Sequence, residues 1–202
     1  MYLSVDENQS GDDQQTAQLL STPGLTNAFP TSTLNGYSCR GGFTASNGQG
    51  FFVCGSTLYA INGTQYPFTA TAVGILLTNR NKVRFADNGQ YLVVVDGPYG
   101  YYYDMLGQTF AQITDPAFYG ASFVVFYDGY FIFNKPDTGL FYWTDPNAIT
   151  FNALNFATKS GNADPIAGMV VFQRQLWLIG TQTSEIWYDV GGTVTFQRLQ
   201  GP

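Results

Sequence analysis

The sequence contains no histidine. That removes Ser-His-Asp and Cys-His catalysis, together with the common His-rich metal sites. Charge is also scarce: 11% of residues are charged, against a usual share of about 25%. Lys and Arg number 8 against 14 Asp and Glu, a formal net charge of −6. Such a chain is a poor direct binder of DNA, because phosphate contacts need clustered lysine and arginine. Arg80, Lys82 and Arg84 form the one such cluster. No apolar run approaches the roughly 20 residues of a membrane-spanning helix, and no basic segment leads into an apolar one as in a signal peptide. No convincing amphipathic helix is found. Two cysteines, Cys39 and Cys54, do not make a disulfide-rich scaffold. They flank a stretch that reads as a hairpin around Ser46-Asn47-Gly48-Gln49-Gly50, which sets them roughly opposite each other, a residue or two out of register. A bridge is open to them; the preferred reading is two small buried residues of an intracellular protein.

What the chain does have is aromatic surface and glycine: 17 Phe, 14 Tyr, 3 Trp and 23 Gly in 202 residues, 45% of them hydrophobic. That excludes disorder of the whole chain. A length of this kind suits one generous domain or part of a larger one, burying roughly 70% of its unfolded surface. Residues 1–35 read as an N-terminal extended segment and loop. Tyr2-Leu3-Ser4-Val5 alternates like a strand, Asp6 to Gln18 is polar and acidic like a solvated loop, and Pro23-Gly24 presets a turn. From residue 36 to 202 the pattern is short runs of Phe, Tyr, Val and Ile punctuated by Gly, Asn, Asp and Pro, which is the pattern of strands. Phe110 to Phe118 has some helical spacing, but Pro116 and the flanking glycines favour a loop.

Three segments repeat. Tyr91-Leu92-Val93-Val94-Val95-Asp96 leads to Tyr101-Tyr102-Tyr103-Asp104 and Phe110. Tyr130-Phe131-Ile132-Phe133-Asn134 leads to Leu140-Phe141-Tyr142-Trp143-Thr144-Asp145 and Phe151. Gln175-Leu176-Trp177-Leu178-Ile179-Gly180 leads to Glu185-Ile186-Trp187-Tyr188-Asp189 and Phe196. A weaker copy runs from Gly50 to Asn62. A period of about 40 to 45 residues with three or four strands per unit is the mark of a β-propeller blade. Each small sheet is apolar on both faces, and radial stacking lets neighbours cover one another. The expectation is therefore an all-β fold, a propeller or partial propeller of about four short antiparallel blades, with a β-sandwich as its rival. A continuous run such as Tyr91–Val95 is expected at the innermost strand. The abrupt ends and the small number of blades lead us to expect a fragment of a longer protein, or a partial propeller completed by another chain.

Few residues suggest chemistry. Asp104, Asp145 and Asp189 end the aromatic strands and would form a carboxylate ring if they lined a channel. Their recurrence once per repeat favours turn-forming aspartates that cap backbone N–H groups. Trp143, Trp177 and Trp187 sit inside apolar strands and read as core rather than as sugar platforms. Pro98-Tyr99-Gly100 is the candidate exposed contact loop, set against an ordinary hairpin turn. Asn8-Gln9-Ser10 and Asn62-Gly63-Thr64 match a glycosylation pattern that means little without a signal peptide. Glu7, Asp12 and Asp13 lack EF-hand spacing. No nucleophile–base pair, cofactor motif or metal-ligand set stands out, so catalytic, cofactor-binding and metal residues are all read as none.

The order of motifs carries a resemblance. Leu20-Ser21-Thr22-Pro23-Gly24-Leu25 follows the acidic stretch. Arg40-Gly41-Gly42, Phe52-Val53-Cys54-Gly55-Ser56-Thr57-Leu58-Tyr59 and Ala86-Asp87-Asn88-Gly89 come next. Asp128-Gly129-Tyr130-Phe131, Phe141-Tyr142-Trp143-Thr144-Asp145, Glu185-Ile186-Trp187-Tyr188 and Phe196-Gln197-Arg198 complete the run. It resembles the N-terminal half of the packaged-DNA stabilisation proteins, or tail accessory (hub) factors, of short-tailed bacteriophages. The resemblance covers nearly the whole chain, and the family's chains are roughly twice as long. It implies a structural virion protein at the tail and portal vertex, assembled in the host cytoplasm and not an enzyme. It implies a ring of copies that closes the DNA exit channel and stabilises packaged DNA. The implied partners are portal-adaptor and tail needle proteins, with no sequence-specific nucleic-acid binding and no membrane. The alternative is a carbohydrate-binding or carbohydrate-cleaving propeller, for which Asp96, Asp128 and Asp145 are the first carboxylates to inspect; a third is an interaction propeller of unknown partner.

Overall fold

A computed structural model of the chain describes residues 2–5, 17–20, 37–63, 68–162, 164–192 and 195–200. The expected turn at Pro23-Gly24, the acidic residues Glu7, Asp12 and Asp13, and the pattern at Asn8-Gln9-Ser10 lie outside the described residues, as does Thr64. Strands β1 (Tyr2–Val5) and β2 (Ala17–Leu20) form a two-stranded antiparallel sheet. Ala17 and Gln18, expected at the end of a loop, are thus in a strand; the exposed backbone groups of β1 need a pairing partner, and β2 provides it.

Four further sheets follow, each antiparallel and built from four successive strands. Sheet 1 holds β3 (Cys39–Thr44), β4 (Gly50–Cys54), β5 (Thr57–Asn62) and β6 (Thr69–Ile75). Sheet 2 holds β7 (Arg84–Asp87), β8 (Tyr91–Val95), β9 (Gly100–Asp104) and β10 (Thr109–Gln112). Sheet 3 holds β11 (Val124–Tyr127), β12 (Tyr130–Asn134), β13 (Leu140–Thr144) and β14 (Phe151–Thr158). Sheet 4 holds β15 (Ile166–Phe172), β16 (Gln175–Gly180), β17 (Ser184–Asp189) and β18 (Phe196–Arg198). The four blades of the expected all-β propeller are present, and the described residues contain no helix. Phe110 lies in β10 as its place in the repeat expects, paired with Tyr103 in the fourth position of its sheet; the loop expected from Phe110 to Phe118 begins only after Gln112.

The period of two in a strand explains how the blades hold together. Leu92 and Val94 point from sheet 2 toward sheet 1 and pack with Phe51, Val53 and Leu58. Val93 and Val95, on the opposite face, pack with Phe131, Phe133 and Tyr142 of sheet 3. Ile132, Phe141 and Trp143, on sheet 3's other face, meet Leu176, Leu178, Trp187 and Phe196 of sheet 4. A strand that serves two cores must be apolar at every position, so β8 and β12 read as unbroken runs rather than alternations. The innermost position, however, belongs to the first strand of each sheet: β7 lies beside β3 and β11, and β11 beside β15. Tyr91–Val95 is the second strand, which corrects the expectation. The driest strand is the one with hydrogen-bonded neighbours on both edges and a sheet on both faces, and that is not the axial one. Among the described residues no further sheet packs on the other face of sheet 4. Its outer side leaves Val170, Phe172 and Ile179 exposed.

Asp128 and Gly129 both take positive φ, 46° and 91°, in the two-residue turn between β11 and β12. This primed geometry matches the twist of a hairpin. Cys39 and Cys54 are direct cross-strand partners, and an irregularity between Cys39 and Gly41 absorbs the expected offset. They form a disulfide, with Cα atoms 4.1 Å apart, which corrects the preferred reading of two small buried residues: Cys54 is buried but Cys39 is exposed. Across a sequence separation of 15, such a bridge contributes about 3 kcal/mol by restricting the unfolded chain.

Phe133 is fully buried and touches Phe118, Tyr142 and Phe151 in the core between sheets 2 and 3. Phe133→Ala is expected to lower unfolding free energy by about 3–5 kcal/mol through lost burial and a residual cavity, read from the midpoint of a urea titration. A loss under about 1 kcal/mol would mean that the sheets do not share that core.

Candidate functional site at the linker end of the sheets

Up-and-down strands sort the connections. The turns after the first and third strands of each sheet lie at one end. The turns after the second strands, and the linkers between sheets, lie at the other. At this linker end polar groups hold each linker between the sheets it joins.

Between sheets 1 and 2 the tie is Arg40 of β3, a buried residue. Its Nη1 donates to the carbonyls of Gly55 and Thr78 at 3.0 and 2.9 Å, its Nε to that of Asn81 at 2.8 Å, and its Nη2 to Thr78 Oγ1 at 2.8 Å. Thr78 Oγ1 in turn donates a hydrogen bond to Asp96 Oδ2, which stands 4.0 Å from Arg40 Nη2. Burial pulls the Arg40 pKa down, and the Asp96 carboxylate opposes that. The linker continues with Leu77, whose N–H donates to the Tyr101 hydroxyl at 2.9 Å; burial raises the Tyr101 pKa.

Between sheets 2 and 3, Asn134 at the end of β12 anchors the linker that enters its own sheet, and that linker is bridged back to sheet 2. Asn134 Oδ1 accepts from the N–H groups of Ser122 and Phe123 at 3.0 and 2.8 Å. Gly97 and Ala121 add a two-way backbone bridge, and the Tyr142 hydroxyl donates to Gly120 O at 2.8 Å. Burial drives the Tyr142 pKa far above the ordinary phenol value.

Between sheets 3 and 4 the tie is ionic. Lys159 Nζ sits 2.7 Å from Asp164 Oδ1 and donates to Thr183 O at 2.7 Å. Asp164 also accepts from the N–H of Gln182 at 2.8 Å and the hydroxyl of Thr183 at 2.7 Å. The hydrogen bond from Lys159, then those from the backbone, hold its carboxyl well below the usual range. Next to it, the buried Glu185 accepts from Gly161 N–H at 2.6 Å and Trp187 Nε1 at 3.0 Å, with Arg198 at 3.8 Å.

These arrangements are fully engaged hydrogen-bond sets, and they fix one sheet against the next. Among the described residues no group of three or more Cys, Asp or Glu side chains is placed to hold a metal. The strand-end aspartates serve turns: Asp104 accepts from the N–H groups of Leu106 and Gly107, Asp189 from that of Gly191, and Asp145 from the Thr150 hydroxyl. Asp96 lies at the linker end, while Asp128 and Asp145 lie at the other, so the three carboxylates proposed for sugar cleavage are not brought together. Trp143 and Trp187 are buried in the core between sheets 3 and 4. Trp177 is half-buried and points to the opposite face. In the Pro98-Tyr99-Gly100 tip only Pro98 is exposed. Tyr99 is half-buried against the first core, held by Asp96 through its N–H at 3.1 Å. Gly100 is buried where a Cβ would lie 2.5 Å from the Phe118 ring, which corrects its place in a contact loop. Arg80, Lys82 and Arg84 all stand exposed on and just after the linker into sheet 2.

Sequence reasoning missed Arg40, Asn134, Lys159, Asp164 and Glu185. One signal was available: Asp96 and Asn134 occupy the same place in the repeat, just after the apolar run of the second strand.

The linkage at Asp164 has a sign. A carboxyl depressed in the folded state stabilises it above the unfolded value near 3.9, and that share is lost as pH falls through the folded value. Thermal unfolding of Asp164→Asn is expected at a lower temperature than wild type at neutral pH, with the gap closing below about pH 4. A gap that stays constant down to acid pH would contradict this role.

The sequence profile of the phage stabilisation family, described by Gp10 of bacteriophage P22 and as a β-propeller, matches residues 9–201. No curated protein matches the chain. Solved structures match in fold. A protein from Lactobacillus plantarum has 12% identity and a TM-score of 0.56, with 92% of this chain and 61% of that one covered. YjhT has 12% identity and a TM-score of 0.53, with 80% and 65% covered. YCF48, solved bound to D1 peptide, has 16% identity and a TM-score of 0.52, with 93% and 59% covered. This chain therefore spans about three fifths of the length of these three similar structures.

Proposed function

This chain belongs to the phage stabilisation family of Gp10-like β-propellers, and from that membership we propose that it is a non-catalytic part of a phage tail hub, closing the DNA exit channel below the portal and stabilising packaged DNA. The family match over residues 9–201 carries the reading. The geometry supports it in three ways. Polar side chains at the linker end are engaged in tying sheets together rather than aimed at a substrate. A net charge of −6 suits a wall along which DNA slides, because such a wall does not grip phosphate. The exposed outer face of sheet 4, with Val170, Phe172 and Ile179, is an apolar surface of the kind that a neighbouring copy or a further blade covers. The proposed partners are other copies in a ring, portal-adaptor proteins and the tail needle, and the proposed location is the portal vertex of the virion. Disulfides such as Cys39–Cys54 persist at virion surfaces.

The test is sedimentation of the chain alone and with an assembled portal–adaptor ring of the same virus. The proposal predicts concentration-dependent self-association alone and co-sedimentation with the ring in preference to free adaptor subunits. A strictly monomeric chain that leaves the ring bare would count against it.

A further inference from the structure

The four basic residues near the start of sheets 1 and 2 share one cleft. It measures about 770 Å³ and is lined by Tyr37, Arg40, Asn79, Arg80, Lys82 and Arg84 among others. Half of the chain's 8 lysines and arginines therefore face one space in an otherwise acidic protein. No aspartate or glutamate lines it. Arg40 is matched by buried Asp96 behind it. Arg80 and Lys82 are exposed and form no ion pair with a described residue, and Arg84 rests over the Phe123 ring at 5.6 Å. Three cations are thus left for a ligand.

We propose that this cleft, beside the innermost strands β3 and β7, binds an acidic peptide segment of a protein partner. The loop that carries the cations is fixed before any ligand arrives. Arg40 holds the carbonyls of Thr78 and Asn81, and Val83 N–H donates back to Arg40 O at 3.3 Å. Val83 is buried, so Lys82 and Arg84 on either side of it project outward together. Such preorganisation removes much of the ordering entropy that binding by flexible lysines and arginines incurs. Lys82 and Arg84 flank one residue at the entry to β7 and are separated by roughly 6.6 Å where the chain is extended, while the positive φ of 68° at Asn81 turns Arg80 away from that spacing. Carboxylates at alternate positions of an extended peptide repeat at the same distance. The volume also lies in the range of about 300–1,000 Å³ typical of ligand sites.

Charge separates a peptide from nucleic acid. Strong phosphate-backbone binders use about 6–10 contacts, and three free cations are too few. The net charge of −6 repels a long polyanion. A short acidic segment feels mainly the local cations, because charges beyond about 8 Å are screened at physiological salt.

The experiment is fluorescence anisotropy with a short synthetic peptide bearing glutamate at every second position, and with a single-stranded oligonucleotide of equal formal charge. Wild type is compared with the combined variant Arg80→Ala, Lys82→Ala, Arg84→Ala, and with Arg174→Ala, which removes an exposed cation at the far end. All four side chains are exposed, so folding is retained. Expected are saturable peptide binding, a loss of at least about tenfold in the combined variant, no change in Arg174→Ala, and weaker oligonucleotide binding. No saturable peptide binding, or equal binding by the combined variant, would overturn the proposal. Tighter binding of the oligonucleotide would overturn it as well and assign the cleft to nucleic acid.

Discussion

A four-stranded sheet with two apolar faces is insoluble by itself, and every larger feature of this protein follows from covering those faces. The second and third strands carry the burden. Val93 and Val94 are adjacent in sequence yet belong to different cores, one shared with sheet 3 and the other with sheet 1. Because each sheet is both a core and a cover, no sheet is stable without its neighbours, and stability spreads along the array as it does in repeat proteins. The aromatic excess has the same origin. Sheets that fan out from an axis need large side chains to fill the widening gaps, and the ring contacts among Phe118, Phe133, Tyr142 and Phe151 do this between sheets 2 and 3.

Apolar stacking is non-directional and leaves the angle between sheets loosely set. The buried polar ties at the linker end supply direction. Arg40, Asn134 and the Lys159–Asp164 pair perform one task with different chemistry: Arg40 and Asn134 anchor the linker that leaves or enters their own sheet, and Lys159 reaches Thr183 of the next sheet. A buried ion pair is weak evidence for net stability, but its geometry is demanding, so it selects one arrangement. The same device fixes the basic loop at residues 80–84 and gives a rigid shape to what would otherwise be a few exposed cations.

The architecture was legible in the sequence because the repeat is written in residue type: an apolar run, a turn, an aromatic run ending in Asp, then Phe. Periodicity alone cannot say which strand of a blade faces the axis, so Tyr91–Val95 reads as the innermost strand although it is the second. The Cys39–Cys54 bridge depended on a register irregularity at Cys39 to Gly41 that no pattern announces. The turn role of Asp104, Asp145 and Asp189 was readable because it recurs. The polar ties were not, since Arg40 meets Thr78 across 38 residues and Lys159 meets Thr183 across 24, and the ties differ from blade to blade. Gly100 read as a loop tip because Pro-Tyr-Gly looks like a turn; its burial comes from Phe118, contributed by the next linker.

The most direct test of mutual covering is residue-resolved hydrogen exchange at a dilution where the chain is monomeric. The account predicts that amides of β8, β9, β12 and β13 exchange with one common, highest free energy, because sheets 2 and 3 open only together. Those of β15 to β17, in the sheet with an open face, should exchange at lower free energy. Separate opening energies for β8 and β12, or protection in sheet 4 equal to theirs, would contradict it.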